Sequence, residues 1–137
     1  MKIGVRAHDY GKHSIEGLAS LLREEGYDGA QLALPKVFEE IDSYEDIRLS
    51  HIERIRRAFE KNRVEIPVMG CYMDLGNPDR SVREYAVETL KTCLFYAKEM
   101  GAGVVGTETA YPRLSREERA AWCPYDGQPY AGYGGGA

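Results

Sequence analysis

The feature that most constrains the fold is an apolar, strand-forming segment that recurs four times, with helix-forming segments in between. The four apolar segments begin near positions 2, 28, 65 and 103. A spacing of about 30 residues or a little more is the length of one strand, one crossover helix and two loops. Chains with this alternation form parallel sheets with right-handed crossover connections. The sequence therefore predicts an α/β fold with the element order βαβαβαβ.

The predicted strands are short, and one of them is irregular. They comprise Lys2–Ala7, Asp28–Leu34, Val64–Tyr72 and Gly103–Thr107. Pro35 is expected to end the second strand because proline has no backbone N–H to donate. The third strand contains Pro67 and Gly70, which are unusual inside a central strand. We therefore expect its backbone to bend or to approach a ligand closely.

The segments between the strands combine helical spacing of apolar residues with signals for helix ends. Ser14 is expected to cap the first helix. A serine followed three residues later by a glutamate forms a capping box, which predicts helix starts at Ser50 and Ser81. The second helix is expected to end near Asn62 and the third at Gly101, a residue suited to a left-handed stop.

Composition and charge narrow the classes of function. Hydrophobic residues make up 43% and charged residues 29%, and no apolar run approaches the ~20 residues that span a bilayer. A net charge of −4 gives no overall attraction for nucleic acid. The N-terminal sequence MKIGVRAHDYGKHS lacks the apolar core of a signal peptide. We expect a cytoplasmic protein with neither a membrane nor a nucleic-acid partner.

The cysteine pattern agrees with that location. Cys71, Cys93 and Cys123 are widely spaced and odd in number. Their pattern fits neither a disulfide framework nor the paired spacing of a structural zinc site. We expect three reduced thiols.

Three segments of the sequence resemble a known superfamily. KIGVRAHDYG at the first strand, CYMDLGNPD after the third and VVGTETA at the fourth are similar to the sugar phosphate isomerase and epimerase group of the xylose isomerase-like TIM barrels. The resemblance runs from Met1 to about Arg119. It implies that residues 1–122 form a partial barrel domain, the N-terminal half of a (β/α)₈ barrel with four strands. Residues 123–137, rich in Gly, Tyr and Pro, are predicted to be an irregular, disordered tail.

The resemblance also implies a function. Enzymes of this group are isomerases and epimerases that hold a sugar or sugar phosphate on a divalent metal, Mn, Mg, Co or Zn, while protons are transferred at the mouth of the barrel. Most of their metal ligands come from strands five to eight, which this chain lacks. We therefore expect a truncated form with no tightly bound metal. Endonuclease IV, in the same superfamily, carries a His after the third strand where this chain has Met69, Gly70 and Cys71, which disfavours DNA repair.

Five residues are candidates for the site because they end or follow predicted strands, at the sheet edge where barrel enzymes place their chemistry. The resemblance assigns Glu108, in the segment GTET, as a catalytic residue and metal ligand. His8 and Asp9 are candidates for binding sugar hydroxyls, and Cys71 and Tyr72 for lining the pocket. Structural roles remain open for all five: an ion-paired carboxylate, a loop histidine that caps backbone groups, and side chains that fill space beneath loops.

Other polar residues are expected to be structural. His13 and His51 lie near helix starts and are expected to be solvated. A basic run could attract a phosphate, but we expect it to be the solvated face of an outer helix. The run comprises Arg54, Arg56, Arg57, Lys61 and Arg63.

Two further classes of function fit the pattern. A non-catalytic half-barrel could self-associate or dock a partner chain through its unpaired edge strands, and two copies could close one eight-stranded barrel. An open, flavodoxin-like binding domain also fits the number of strands. Its first loop, HDYGKHS, lacks the glycines of a nucleotide-phosphate site.

Overall fold

Four parallel strands form one sheet in the structure, a computed structural model that describes residues 1–77 and 79–107. The strands are β1 (Gly4–Arg6), β2 (Gly29–Leu32), β3 (Glu65–Gly70) and β4 (Val104–Gly106). Their order across the sheet is β1-β2-β3-β4, and each neighbouring pair is parallel. The predicted alternation and the parallel sheet are confirmed.

Four α-helices accompany these strands within the described residues. They are α1 (Ile15–Glu24), α2 (Leu34–Val37), α3 (Leu49–Asn62) and α4 (Arg80–Met100). Three of them are the predicted crossovers, whereas α2 is a single turn that the sequence did not predict. Pro35 lies in the first turn of α2, where its missing N–H costs nothing because those groups have no partner within the helix.

The helix ends agree with the prediction only in part. Ser14 caps α1, and its hydroxyl oxygen accepts a hydrogen bond from the Gly17 N–H at 3.2 Å. The capping box predicted at Ser50 is wrong, because the N-cap of α3 is Arg48, two residues earlier, and Ser50 lies inside the helix. The box at Ser81 is wrong for a different reason. Asp79 precedes it, and the Asp79 carboxylate, a strong acceptor, takes the hydrogen bond of the Ser81 N–H at 2.8 Å.

The three crossover helices lie against the same face of the sheet. Helix α1 contacts α3, and α3 contacts α4. Ala30, Leu32 and Met69 point from the strands into this layer and are fully buried. A flavodoxin-like domain instead has helices on both faces and reverses its strand order at a switch point. Neither feature occurs in the described residues, which form an open half-barrel, so the flavodoxin-like alternative is wrong.

The opposite face of the sheet is the one that lines the interior of a closed barrel. Gln31 lies in register between Arg6 of β1 and Val68 of β3, and Val68 is in turn paired with Val104 of β4. No helix of the described chain covers this row, and Val104 is 56% exposed. The half-barrel therefore presents a concave face that carries polar side chains at its β1 side.

The third strand is irregular in its pairing with β2. Gly29 is paired with Glu65, and Gln31 is paired with Val68. The two paired residues of β2 are thus two positions apart, whereas their partners in β3 are three positions apart. β3 therefore carries one extra residue opposite β2, at the position of Pro67, which cannot donate to the ladder.

Candidate functional site

Five polar side chains meet at the carboxyl ends of the strands, and we call them the mouth cluster: Arg6, His8, Gln31, Lys36 and Tyr72. Two of them belong to strands, namely Arg6 at the end of β1 and Gln31 in β2. His8 lies in the 3₁₀ turn that follows β1, and Lys36 lies in α2. Tyr72 follows β3 by two residues. The parallel sheet brings these separate segments together because all its strands end at one edge.

Tyr72 is at the centre of the mouth cluster. Its hydroxyl accepts a hydrogen bond from the Gln31 amide at 2.6 Å. The His8 ring stands nearly perpendicular to the Tyr72 ring, with centroids 5.9 Å apart and an interplanar angle of 81°. The Lys36 ammonium lies 4.5 Å from the centre of the same ring. Tyr72 is thus contacted at its hydroxyl by the Gln31 amide and at its ring by the His8 imidazole and the Lys36 ammonium.

The backbone beneath Tyr72 is held by Tyr44, from the 3₁₀ turn Tyr44–Asp46. The Tyr44 hydroxyl accepts a hydrogen bond from the Tyr72 N–H at 3.0 Å and donates one to the Gly70 carbonyl at 3.3 Å. A Cβ added to Gly70 would lie 3.2 Å from both Ala33 and the Tyr72 ring. Glycine at this position therefore allows the ring to fold back over the end of β3.

Arg6 and Asp9 form a bidentate ion pair at the edge of the mouth cluster. Arg6 donates from Nε and Nη2 to the two carboxylate oxygens of Asp9, at 3.1 and 2.8 Å. These hydrogen bonds keep the pKa of Asp9 below its ordinary value. Both side chains are more than half exposed, so the pair adds little to stability. Its consequence is that both Asp9 oxygens are already engaged by a cation.

His8 is neutral at physiological pH. Burial, followed by the positive charges of Arg6 and Lys36, lowers the pKa of His8 from the ordinary value of 6.5. Its Nδ1 atom is buried and has no hydrogen-bond partner within residues 1–77 and 79–107. An imidazole in this state can donate one hydrogen bond and accept another.

The lowered pKa of His8 makes stability depend on pH. The unfolded chain takes up a proton on His8 near pH 6.5, whereas the folded chain resists it. We expect the free energy of unfolding to fall as the pH drops through 6.5, until the folded pKa is reached. His8→Gln removes the titrating group and hence this part of the dependence. Urea unfolding between about pH 5 and about pH 8 measures it. A difference between wild type and variant that is constant with pH would contradict the prediction.

The structure does not bring the Cys71 thiol to the mouth cluster. Cys71 is fully buried, and its backbone N–H donates to the Gly106 carbonyl at 2.8 Å, extending the β3–β4 ladder. A hydrogen bond with Cys71 and burial raise the pKa of the Cys93 thiol, on α4. Both thiols are unbridged, as predicted. Cys71 thus lies among core residues. Of the other candidates, His8 and Tyr72 are in contact, and Asp9 is linked to the mouth cluster by its ion pair with Arg6. Cys123 is outside the described residues.

Glu108, the candidate catalytic residue and metal ligand, lies outside the described residues, as does the predicted tail at 123–137. In the part of the chain that the structure describes, no group of three or more His, Cys, Asp and Glu side chains could hold a metal ion. At the mouth, His8 offers one nitrogen and Asp9 is already bound by Arg6. These residues do not by themselves fit a metal.

Sequence reasoning missed Arg6, Gln31, Lys36 and Tyr44. Gln31 had a detectable signal, since it is a polar residue within the apolar strand DGAQLAL and alternation places it on the concave face. Lys36 and Tyr44 had none. They lie between β2 and α3, where short turns replace periodic elements.

The remaining polar candidates are structural. Arg54 pairs with Glu16 and Glu40, and the other ion pairs of the basic run stay within α3. These arginines are exposed on the outer side, as predicted. His13 and His51 are only partly exposed, which corrects the expectation that both are solvated. The backbone of His13 forms an isolated β-bridge with that of Phe38. The Nδ1 atom of His51 is buried.

The fold and the position of the cluster define a class, that of half-barrels with polar groups at the mouth. The chain belongs to the xylose isomerase-like TIM barrel family, whose model matches residues 19–123. A comparison of the sequence with curated proteins gives no significant match.

Solved structures agree on the fold. The probable 3-DHS dehydratase AsbF from Bacillus anthracis, involved in petrobactin synthesis, is similar with a TM-score of 0.59 at 15% identity, over 89% of this chain and 44% of that one. The 3-keto-D-glucoside 4-epimerase YcjR from E. coli gives 0.59 at 16% identity, over 89% and 47%. A xylose isomerase-like TIM barrel/4-hydroxyphenylpyruvate dioxygenase fusion protein gives 0.56 at 13% identity, over 87% and 18%. The chain spans less than half the length of each.

Proposed function

We propose that the complete protein is a sugar or sugar-phosphate isomerase or epimerase, in which a divalent metal assists proton transfer, and that the described residues form one wall of its substrate site. The observation that carries the proposal is the contact of Tyr72 with His8, Gln31 and Lys36 at the carboxyl ends of the strands. Barrel enzymes carry their active sites at this end. The similarity to AsbF and YcjR supports the fold on which the proposal rests.

The chemistry of the mouth cluster suits a polyhydroxylated ligand. Sugar rings rest on aromatic faces while their hydroxyls bond to nearby polar groups, and Tyr72 offers such a ring. The Gln31 amide nitrogen donates to Tyr72, and its carbonyl oxygen can accept from a hydroxyl. Because the Nδ1 atom of His8 is buried, the other ring nitrogen of the neutral imidazole is the one that can bond to a sugar hydroxyl, as donor or acceptor according to its tautomer. In this role the three residues bind and orient the sugar.

Proton transfer is proposed for residues beyond the described part. Glu108 is the proposed catalytic carboxylate and metal ligand, on the resemblance of the segment GTET to the family. Since the described residues do not fit a metal by themselves, we assign no step of the reaction to one. A cytoplasmic location likewise stays a proposal from the sequence. Among the described residues, no helix is both long and apolar enough to span a bilayer.

The test is an NMR titration of the 137-residue chain with D-xylose and D-xylulose. We expect shifts at the signals of His8, Gln31 and Tyr72, and weaker binding by Tyr72→Phe, which loses the hydroxyl bonded to Gln31. Tyr27→Phe is the matched control, because its hydroxyl bonds to Tyr10 and not to the mouth cluster, and it should bind as the wild type does. Shifts that are absent, or that fall away from the mouth, would exclude the proposal for this chain.

A second candidate function is self-association. The observation that favours it is the sheet order, which leaves β1 and β4 at the edges and the concave face uncovered by the described chain. Unpaired edges template pairing with another strand. Two copies related by a twofold axis could pair β4 of each with β1 of the other, in parallel, and close an eight-stranded barrel. A separate partner chain could occupy the same edges.

Light scattering tests the self-association. We expect the mass of a dimer over a range of concentrations. A folded monomer at every concentration would contradict closure by a second copy and leave the partner chain as the occupant of the edges.

A further inference from the structure

The mouth cluster carries a positive charge that the described residues do not balance. Arg6 is matched by Asp9 through two hydrogen bonds. Lys36 differs, since no carboxylate among residues 1–77 and 79–107 lies within ion-pairing distance of its ammonium. The Lys36 ammonium lies over the face of the Tyr72 ring, 4.5 Å from the ring centre. Lys61 and Lys98 also have no carboxylate partner among the described residues, but they lie on the outer helices α3 and α4, whereas Lys36 lies at the mouth.

The neighbours of Lys36 leave this charge in place. His8 is close enough for the Lys36 charge to lower its pKa, so the imidazole stays neutral and adds no second cation. Gln31 and Tyr72 are neutral and bonded to each other. The contact with the aromatic face also directs the ammonium, because a cation is attracted to the negative face of a ring. The cluster thus presents one oriented cation beside a neutral hydrogen-bonding surface.

We infer that Lys36 is the anion-binding residue of the mouth, and that the ligand of this site is a sugar derivative that carries a carboxylate or a phosphate. The inference rests on the proposed function and specifies its substrate class. The sugar hydroxyls meet His8, Gln31 and Tyr72, while the anionic group of the ligand binds the Lys36 ammonium. A charge-assisted hydrogen bond to a lysine is roughly twice as strong as a neutral one, so the anionic ligand is preferred over its neutral parent.

The experiment compares three probes with one carbon skeleton: D-xylose, D-xylonate and D-xylose 5-phosphate. They are titrated into the full chain at low ionic strength, where an exposed charge is least screened. We expect at least one anionic probe to bind about tenfold more tightly than D-xylose. Preference for D-xylonate identifies a carboxylate ligand, and preference for the 5-phosphate identifies a phosphate ligand.

Three variants separate Lys36 from general charge effects. Lys36→Gln should bring the affinities for the three probes to within about threefold of one another, whereas Lys36→Arg should keep the preference. Lys91→Gln is the matched control because it removes the same charge from an exposed site on α4, where Lys91 pairs with Glu88. It should bind as the wild type does.

The outcomes distinguish this inference from the proposed function. Equal affinity for the three probes, or a preference that survives in Lys36→Gln, overturns the anion site. If D-xylose still shifts the signals of His8 and Tyr72, the proposed function stands. Absence of shifts at the mouth with all three probes overturns both.

Discussion

Phe59→Ala should destabilise the chain by about 3–5 kcal/mol, which is large for a single substitution. Phe59 lies in the last turns of α3 and is 1% exposed. Truncation removes its burial energy and leaves a cavity that the rest of the core can only partly fill. Domains unfold with about 5–15 kcal/mol, so the loss is a large part of the total. Urea unfolding followed by far-ultraviolet circular dichroism measures it.

Phe95→Ala is the matched control. It removes the same atoms from a helix, but Phe95 lies on the outer side of α4 and is 50% exposed. Its loss should stay below about 1 kcal/mol. Similar losses for both variants would mean that the layer between the sheet and its helices is not the core of the protein. If Phe59→Ala fails to fold and Phe95→Ala folds, the result agrees with the prediction.

The architecture could be predicted from the sequence because every strand and crossover helix carries its own periodic signal. In β2 the buried side chains of Ala30 and Leu32 flank the partly exposed Gln31, so the two faces of the strand can be identified from the sequence of this segment alone. Helix starts were harder to predict. Ser81 and Glu84 have the spacing of a capping box, in which the Glu84 side chain accepts a hydrogen bond from the Ser81 N–H. In the structure the Asp79 carboxylate accepts that hydrogen bond instead. A local motif does not reveal which of two neighbouring acceptors takes the bond.

The mouth could be predicted only as far as residues follow strands. His8 directly follows the first predicted strand and Tyr72 is the last residue of the third, and the parallel sheet brings them into contact. Lys36 reaches the same place from α2, a turn without a periodic pattern. Cys71 illustrates the opposite case. It is adjacent to Tyr72 in sequence, but side chains alternate along an extended backbone, and its thiol lies beside Cys93 in the core.

Tyr44→Phe should both destabilise the chain and disorganise the mouth. The variant loses only the hydroxyl that bonds to the Tyr72 N–H and the Gly70 carbonyl. A buried backbone group left without a partner costs about 1–3 kcal/mol, and the half-buried position of Tyr44 favours the lower part of this range. We expect faster hydrogen exchange at the Tyr72 amide, by about fivefold to tenfold, since each ~1.4 kcal/mol of lost protection is one factor of ten.

Tyr10→Phe provides the comparison. It also removes one half-buried hydroxyl, but that hydroxyl donates to the Tyr27 hydroxyl at 3.3 Å and holds no backbone group. Its exchange at Tyr72 should match the wild type, and its stability should fall by less than about 1 kcal/mol. Equal exchange in the two variants would mean that Tyr44 does not hold the backbone beneath Tyr72. If Tyr44 does hold it, Tyr44→Phe should also weaken the D-xylose shifts at His8 and Tyr72, because the ring that orients the sugar is then free to move.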